Sequence, residues 1–143
     1  MTAINPYLTF KNNCEEAFEF YRSVFGGEFL GKMRMSDMDM GVPIPDEAKN
    51  LIMHVALPIG NGSTLMGSDA PDGFGPPLNV GNNLSVAIAP DSEDEARRLF
   101  DGLSAGGSVM MPFEKAPWGD MFGMFTDKFG IQWMVNYGQG GQN

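Results

Sequence analysis

Asn13-Cys14-Glu15-Glu16-Ala17-Phe18-Glu19-Phe20-Tyr21-Arg22-Ser23-Val24-Phe25-Gly26-Gly27 decides the fold, because its pattern returns as Ser92-Glu93-Asp94-Glu95-Ala96-Arg97-Arg98-Leu99-Phe100-Asp101-Gly102-Leu103-Ser104-Ala105-Gly106-Gly107. Matching positions lie 79 residues apart from Asn13/Ser92 to Val24/Leu103 and 80 apart at the glycines, so the second copy gained one residue at its end. Each copy reads as a helix. Ser92 with Glu95 is a full capping box, and Asn13 with Glu16 has the same form with Asn in the capping place. Ala17, Phe20, Tyr21, Val24 and Phe25 recur at helical spacing, and the paired glycines stop the helix. A repeat this long implies a duplicated module, with a seam between its halves of the kind ligands favour.

The flanks of each helix read as strands. Around the first, Pro6–Phe10 is short and apolar with Pro6 at its start, and Glu28–Met35 resumes in extended form. Leu51–Pro58 and Ser63–Ser68 flank Gly60-Asn61-Gly62, a hairpin turn because Asn and Gly accept positive φ. Around the second helix, Leu84–Ala89, Val109–Phe113, Met121–Thr126 and Ile131–Tyr137 repeat the plan, with Asp127-Lys128-Phe129-Gly130 turning between the last two. The expected architecture is α+β, two tandem βαβββ modules at about 5–69 and 83–137. The Pro- and Gly-rich segment 70–82 links them within one domain spanning 1–137, and a tail at 138–143 is expected to fray. Residues 36–50, with Pro43 and Pro45 and no sustained period, read as a long loop of the length that often closes over a pocket.

Composition excludes several functions. Nine basic against eighteen acidic residues give a net charge of −9, which disfavours nucleic acid, whose phosphates must be neutralised by Lys and Arg. No apolar run approaches the roughly 18 residues of a membrane-spanning helix. The single cysteine, Cys14, rules out an intrachain disulfide, and with no visible signal peptide a cytoplasmic location is expected. There is no Walker motif, no strand-linked GxGxxG and no GxSxG.

The duplicated module resembles the vicinal oxygen chelate superfamily, which includes glyoxalase I, extradiol dioxygenases and bleomycin resistance proteins. Pro6-Tyr7-Leu8-Thr9-Phe10, Asn13-Cys14-Glu15-Glu16-Ala17, Phe20-Tyr21, His54, Leu65-Met66-Gly67-Ser68-Asp69, Trp118-Gly119-Asp120 and Phe129-Gly130-Ile131-Gln132-Trp133 look like its PhnB-like branch. The resemblance implies a curved mixed sheet around a cavity, helices outside, and a homodimer. It also implies a metal held by His or carboxylates on the first and last strands of each module. The matching positions here are Pro6, Leu65 or Met66, Ser85 and Met134, none of which suits Mg, Mn, Fe or Zn. No metal and no cofactor is therefore expected. Nor does anything resemble a Gly-rich methyl-donor site on a parallel sheet, so a methyltransferase reading is not adopted.

Several side chains remain as candidates. His54 is the sole histidine; by the two-residue period it shares a strand face with Ile52 and Ala56, where it would line the cavity or move a proton. Gln132, Met134 and Asn136 alternate on the last strand, offering neutral donors and acceptors to a small polar molecule. Met66, Ser85, Trp118 and Phe122 complete the expected cavity lining, with Asp69 and Asp120 near its rim, and Trp133 alternates to the opposite face. Twelve methionines imply an adaptable interior. Cys14 lies in a first helical turn, where the dipole lowers a thiol pKa, but no base stands near it and it reads as structural.

The reading is a protein that binds a small molecule in the inter-module cavity without the superfamily's usual metal. The alternative is a metal-dependent lyase, isomerase or dioxygenase-type enzyme using an unconventional ligand set or His54.

Overall fold

The computed structural model describes residues 2–38, 41, 43–73 and 75–138. The chain divides into two compact units, Met1–Asn79 and Val80–Asn143. In the first, β1 (Tyr7–Phe10), α1 (Cys14–Phe25), β2 (Gly31–Arg34), β3 (Ile52–Gly60) and β4 (Ser63–Asp69) follow in order. Their sheet runs β1-β4-β3-β2, with β1 parallel to β4 and the other pairs antiparallel. The second unit has β5 (Val86–Ile88), α2 (Glu93–Ser104), β6 (Ser108–Lys115), β7 (Met121–Thr126) and β8 (Gln132–Tyr137). Its sheet runs β5-β8-β7-β6 with the same pattern of directions. The fold class is the expected duplication of βαβββ. Residues 139–143 of the expected tail lie outside the described residues, as do 39, 40 and 42 of the long loop.

The two helices coincide under the 79-residue offset at both ends. The additional residue is Ala105. α1 stops directly at Gly26, whose φ of 83° favours glycine, whereas α2 passes through Ala105 at φ −60° before Gly106 takes φ 79°.

Each helix covers one face of its own sheet. α1 packs on β3 and β4, burying Cys14, Ala17, Phe18 and Tyr21 at i, i+3, i+4 and i+7 against Leu8, Phe10, Val55, Leu57 and Leu65. The stripe is rotated from the one expected: Phe18 enters the core and Phe20 is only half-buried. Gly67 explains the rotation, because a Cβ there would lie 2.6 Å from Phe18 Cε1 and 2.7 Å from the Leu8 carbonyl oxygen. In the second unit Ala96, Leu99, Phe100 and Leu103 cover Phe125, Trp133 and Val135, and Phe100 lies over Gly123 in the same way.

Three local expectations are corrected. Asn13 makes no side-chain cap; the buried Asp69 carboxylate replaces it, accepting from Cys14 N at 2.9 Å and from Ile52 N at 2.8 Å. Ser92 does cap, accepting from Glu95 N at 3.1 Å. The strict alternation along β3 fails at its start. Met33 pairs with His54 but Arg34 pairs with Ile52, so Met53 is a bulge residue and Ile52 is buried like Val55 and Leu57. Strand β2 is shorter than expected, since Met35 leaves it to open a one-turn 3-10 helix, Met35–Asp37. The long loop that follows is closed at its base by Met35 N to Leu51 O and Ser36 N to Lys49 O.

Candidate functional site

The faces opposite the helices carry the candidate side chains, because residues paired across neighbouring strands point to the same side of a sheet. In the first unit one row runs Tyr7, Met66, Ala56 and Gly31, and Met33 pairs with His54 in the next. His54 and Met66 therefore share a face. The side chain that sequence reasoning missed is Tyr7, 47% exposed, whose hydroxyl lies 3.5 Å from His54 Nδ1 with the rings 5.8 Å apart. Which of the two atoms donates depends on the histidine tautomer. The signal was available in the alternation of β1, where Leu8 and Phe10 are buried and Tyr7 and Thr9 are exposed.

In the second unit the row Ala87, Met134, Met124, Met111 crosses all four strands. Beside it run Asn136, Phe122 and Glu114 on one side and Gln132, Thr126 and Ser108 on the other. Gln132, Met134, Asn136 and Phe122 are thus brought together. Two of them have structural partners. Gln132 Nε2 donates to Leu84 O at 2.6 Å, holding the segment that carries Ser85 ahead of β5, and Asn136 Nδ2 donates to Asp120 Oδ2 at 3.2 Å. Trp118 meets Phe122 edge to face with centroids 5.3 Å apart. Ser85 is exposed just outside β5.

The remaining candidates are structural. Trp133 is fully buried under α2, and its Nε1 donates at 2.8 Å to Asp127 Oδ2. Asp127 also accepts from Phe129 N and Ile131 N through Oδ1, so this carboxylate organises the whole turn. Asp69 is likewise an internal fastener. The Cys14 thiol pKa is pushed up, first by burial and then by the charges of Asp69 and Glu15, which outweighs the helix dipole and leaves an unreactive thiol.

An open cleft of about 300 Å³ lies at the start of α1, lined by Asn12, Asn13, Glu15, Glu16, Asn50, Leu51 and Asp69. Of the candidate side chains only Asp69, expected at the cavity rim, lines it. Two of its three carboxylates are engaged elsewhere: Asp69 with two backbone N–H groups, and Glu15 with Arg34 at 2.6 Å and Lys32 at 2.8 Å. The Arg34 guanidinium, followed by the Lys32 ammonium, holds the Glu15 carboxyl down at about 2.

The four positions at which the family resemblance implies metal ligands do not offer suitable donors. Leu65 is fully buried on the helix side, so the helix-free position is Met66. Pro6 gives only its carbonyl, to Met66 N, and Ser85 and Met134 add a hydroxyl and a thioether. Such a set is a poor donor for hard divalent cations. Among the described residues no three or more His, Cys, Asp or Glu side chains come together to hold a metal ion. No described helix is long and apolar enough to cross a membrane.

The model of the Glyoxalase/Bleomycin resistance protein/Dioxygenase superfamily matches residues 3–135. The chain belongs to that superfamily. Within it, the chain is 33% identical to Protein YjdN of Escherichia coli, covering 93% of each. It is similar to the crystal structure of protein PA1353 from Pseudomonas aeruginosa, with 39% identity, a TM-score of 0.82, and 96% and 98% of the two chains covered. A Bacillus cereus structure described as a PhnB protein and putative 3-demethylubiquinone-9 3-methyltransferase shares the fold at 24% identity and TM-score 0.73, covering 96% and 100%.

Proposed function

We propose that this superfamily member binds a small molecule on the helix-free faces of its sheets, without the metal used by the superfamily's enzymes. The observation that carries this reading is the second-sheet face. There Phe122, Met124 and Met134 provide adaptable apolar area, and Gln132 and Asn136 provide a few oriented polar atoms, the composition typical of ligand sites. His54, Met66 and Tyr7 supply a comparable face in the first unit, and Ser85 and Trp118 lie at the margins of the second. A ligand that binds only the folded state raises the melting temperature by mass action. A thermal-shift screen of metabolites, with Mn, Ni, Zn and Fe and chelator controls in parallel, tests the reading. Stabilisation by an organic compound alone is the expected result. A rise with a divalent metal that chelator reverses would overturn the metal-free part.

The Tyr7–His54 contact favours a second reading, proton transfer to or from a bound ligand, since an imidazole paired with a phenol is equipped for it. Loss of turnover of an identified substrate in both His54→Ala and Tyr7→Phe, with ligand binding retained, would select it. Homodimerisation and a cytoplasmic location belong to the same proposal. Light scattering tests the first, with twice the 15.5 kDa chain mass expected, and cell fractionation tests the second.

A further inference from the structure

The end of the second sheet's helix-free face carries an aromatic and acidic arrangement that general small-molecule binding does not explain. Trp118 lies 61% exposed on the connection between β6 and β7. That connection is pinned by Ala116 N to Asp120 O at 2.7 Å and Gly119 N to Ala116 O at 2.9 Å, and Gly119 takes φ 106° to make the turn. The indole is therefore held out by a fastened loop. It meets Phe122 edge to face at 5.3 Å and 66°, and its 61% exposure leaves indole π surface open to solvent beside that contact. Phe122 pairs with Asn136, whose amide donates to Asp120, so the carboxylate is tied to the strand pair that carries Phe122 and lies two residues along the chain from each ring. Behind it Gly138 leaves room, since a Cβ there would come 2.9 Å from Asp120 Oδ1.

The charge of Asp120 is held in place by a neutral donor. Among the described residues none of the ion pairs involves it. On the other flank of Phe122 its β6 partner is the exposed Glu114. Aromatic faces and a carboxylate share one preference, for positive charge, and the rings additionally favour a cation with apolar substituents. An overall charge of −9 concentrates cations near such a surface.

We infer that Trp118, Phe122 and Asp120 form a binding site for an organic ammonium ion, a charged nitrogen carrying apolar groups. This rests on the small-molecule reading above and narrows its ligand class. The test is titration of the whole protein with choline and with its neutral carbon isostere, 3,3-dimethylbutan-1-ol. Isothermal titration calorimetry reads binding in the parent and in every variant, and quenching of the exposed Trp118 indole is a second readout in the parent, because Trp133 is fully buried. Choline is expected to bind about tenfold more tightly than the alcohol, and to weaken about tenfold in Trp118→Ala. Asp120→Asn, which keeps an acceptor for Asn136, is expected to reduce the preference for choline and to weaken its salt dependence, with an unchanged melting temperature confirming the fold. Equal binding of the two compounds, or choline binding that survives Trp118→Ala, would overturn the inference and leave small-molecule binding standing. A protein that ignores choline but is stabilised by a neutral compound would do the same. A protein that responds to neither choline nor any compound in the thermal screen would overturn both.

Discussion

α1 and α2 have the same length and start 79 residues apart, yet they are fastened by different chemistry. α1 buries Phe18 and takes its cap from Asp69, 55 residues beyond Cys14 in the chain. At the position matching Phe18, α2 carries Arg97, which pairs with Glu93 at 3.1 Å and lays its guanidinium over the Phe113 ring. Its cap is its own Ser92. The first helix is thus secured by a contact made at the end of its sheet, and the second by a contact made within a single turn. Duplication kept the helix and the buried pairs Ala17/Ala96 and Tyr21/Phe100, and left the rest of the buried stripe and the fastening free to diverge.

That contrast can be broken experimentally, beginning where the effect is largest. Asp69→Ala leaves the buried amides of Cys14 and Ile52 without an acceptor, and should destabilise by about 3 kcal/mol or more. Chemical denaturation measures this, and a loss below ~1 kcal/mol would show that the fastening of α1 lies elsewhere. Gly67→Ala and Gly123→Ala force a methyl against Phe18 and Phe100 respectively, and against nearby backbone, for an expected loss of ~1–3 kcal/mol each. Ser92→Ala should cost about 1 kcal/mol, whereas Asn13→Ala should be within ~0.5 kcal/mol of the parent because Asn13 makes no side-chain cap. Equal losses from the last pair would erase the difference between the two helix starts.

The smallest effect depends on pH. The Glu15 carboxyl is depressed from the ordinary 4.5 to about 2, so its contribution is fully present above about pH 4.5 and is lost as pH falls towards 2. Its side chain is 42% exposed, so solvent screening keeps the contribution below ~1 kcal/mol. Glu15→Gln should flatten the stability profile over that window and leave the profile at neutral pH nearly parallel to the parent.

Much of the fold was legible in the sequence because its signals are local. The capping pattern of Ser92, the glycines closing each helix and the Asn61-Gly62 turn all act within a few residues. The strand alternation that sets Gln132, Met134 and Asn136 on one face is equally local. What escaped reading depends on contacts between distant segments. Asn13 looks like a cap, but Asp69 reaches the helix start in its place. Phe18 looks exposed until Gly67 opens a place for its ring. The bulge at Met53 exists only through the pairing of β3 with β2, so Ile52 changes sides with no mark in its own sequence. Tyr7 joins His54 for the same reason, through strands brought side by side by the chain's path.

The position of Asp69 at the last residue of β4 also sets an order of events during synthesis. A helix formed by residues 14–25 has no cap of its own and waits for a carboxylate that is made 55 residues after Cys14. Until then its first turn is held only by propensity, which is marginal for so short a segment in water. The second helix carries its cap into existence with it. A ribosome paused between the two helices would therefore display a first unit that locks late and all at once, and the amides of Cys14 and Ile52 would be the ones whose hydrogen exchange records that moment.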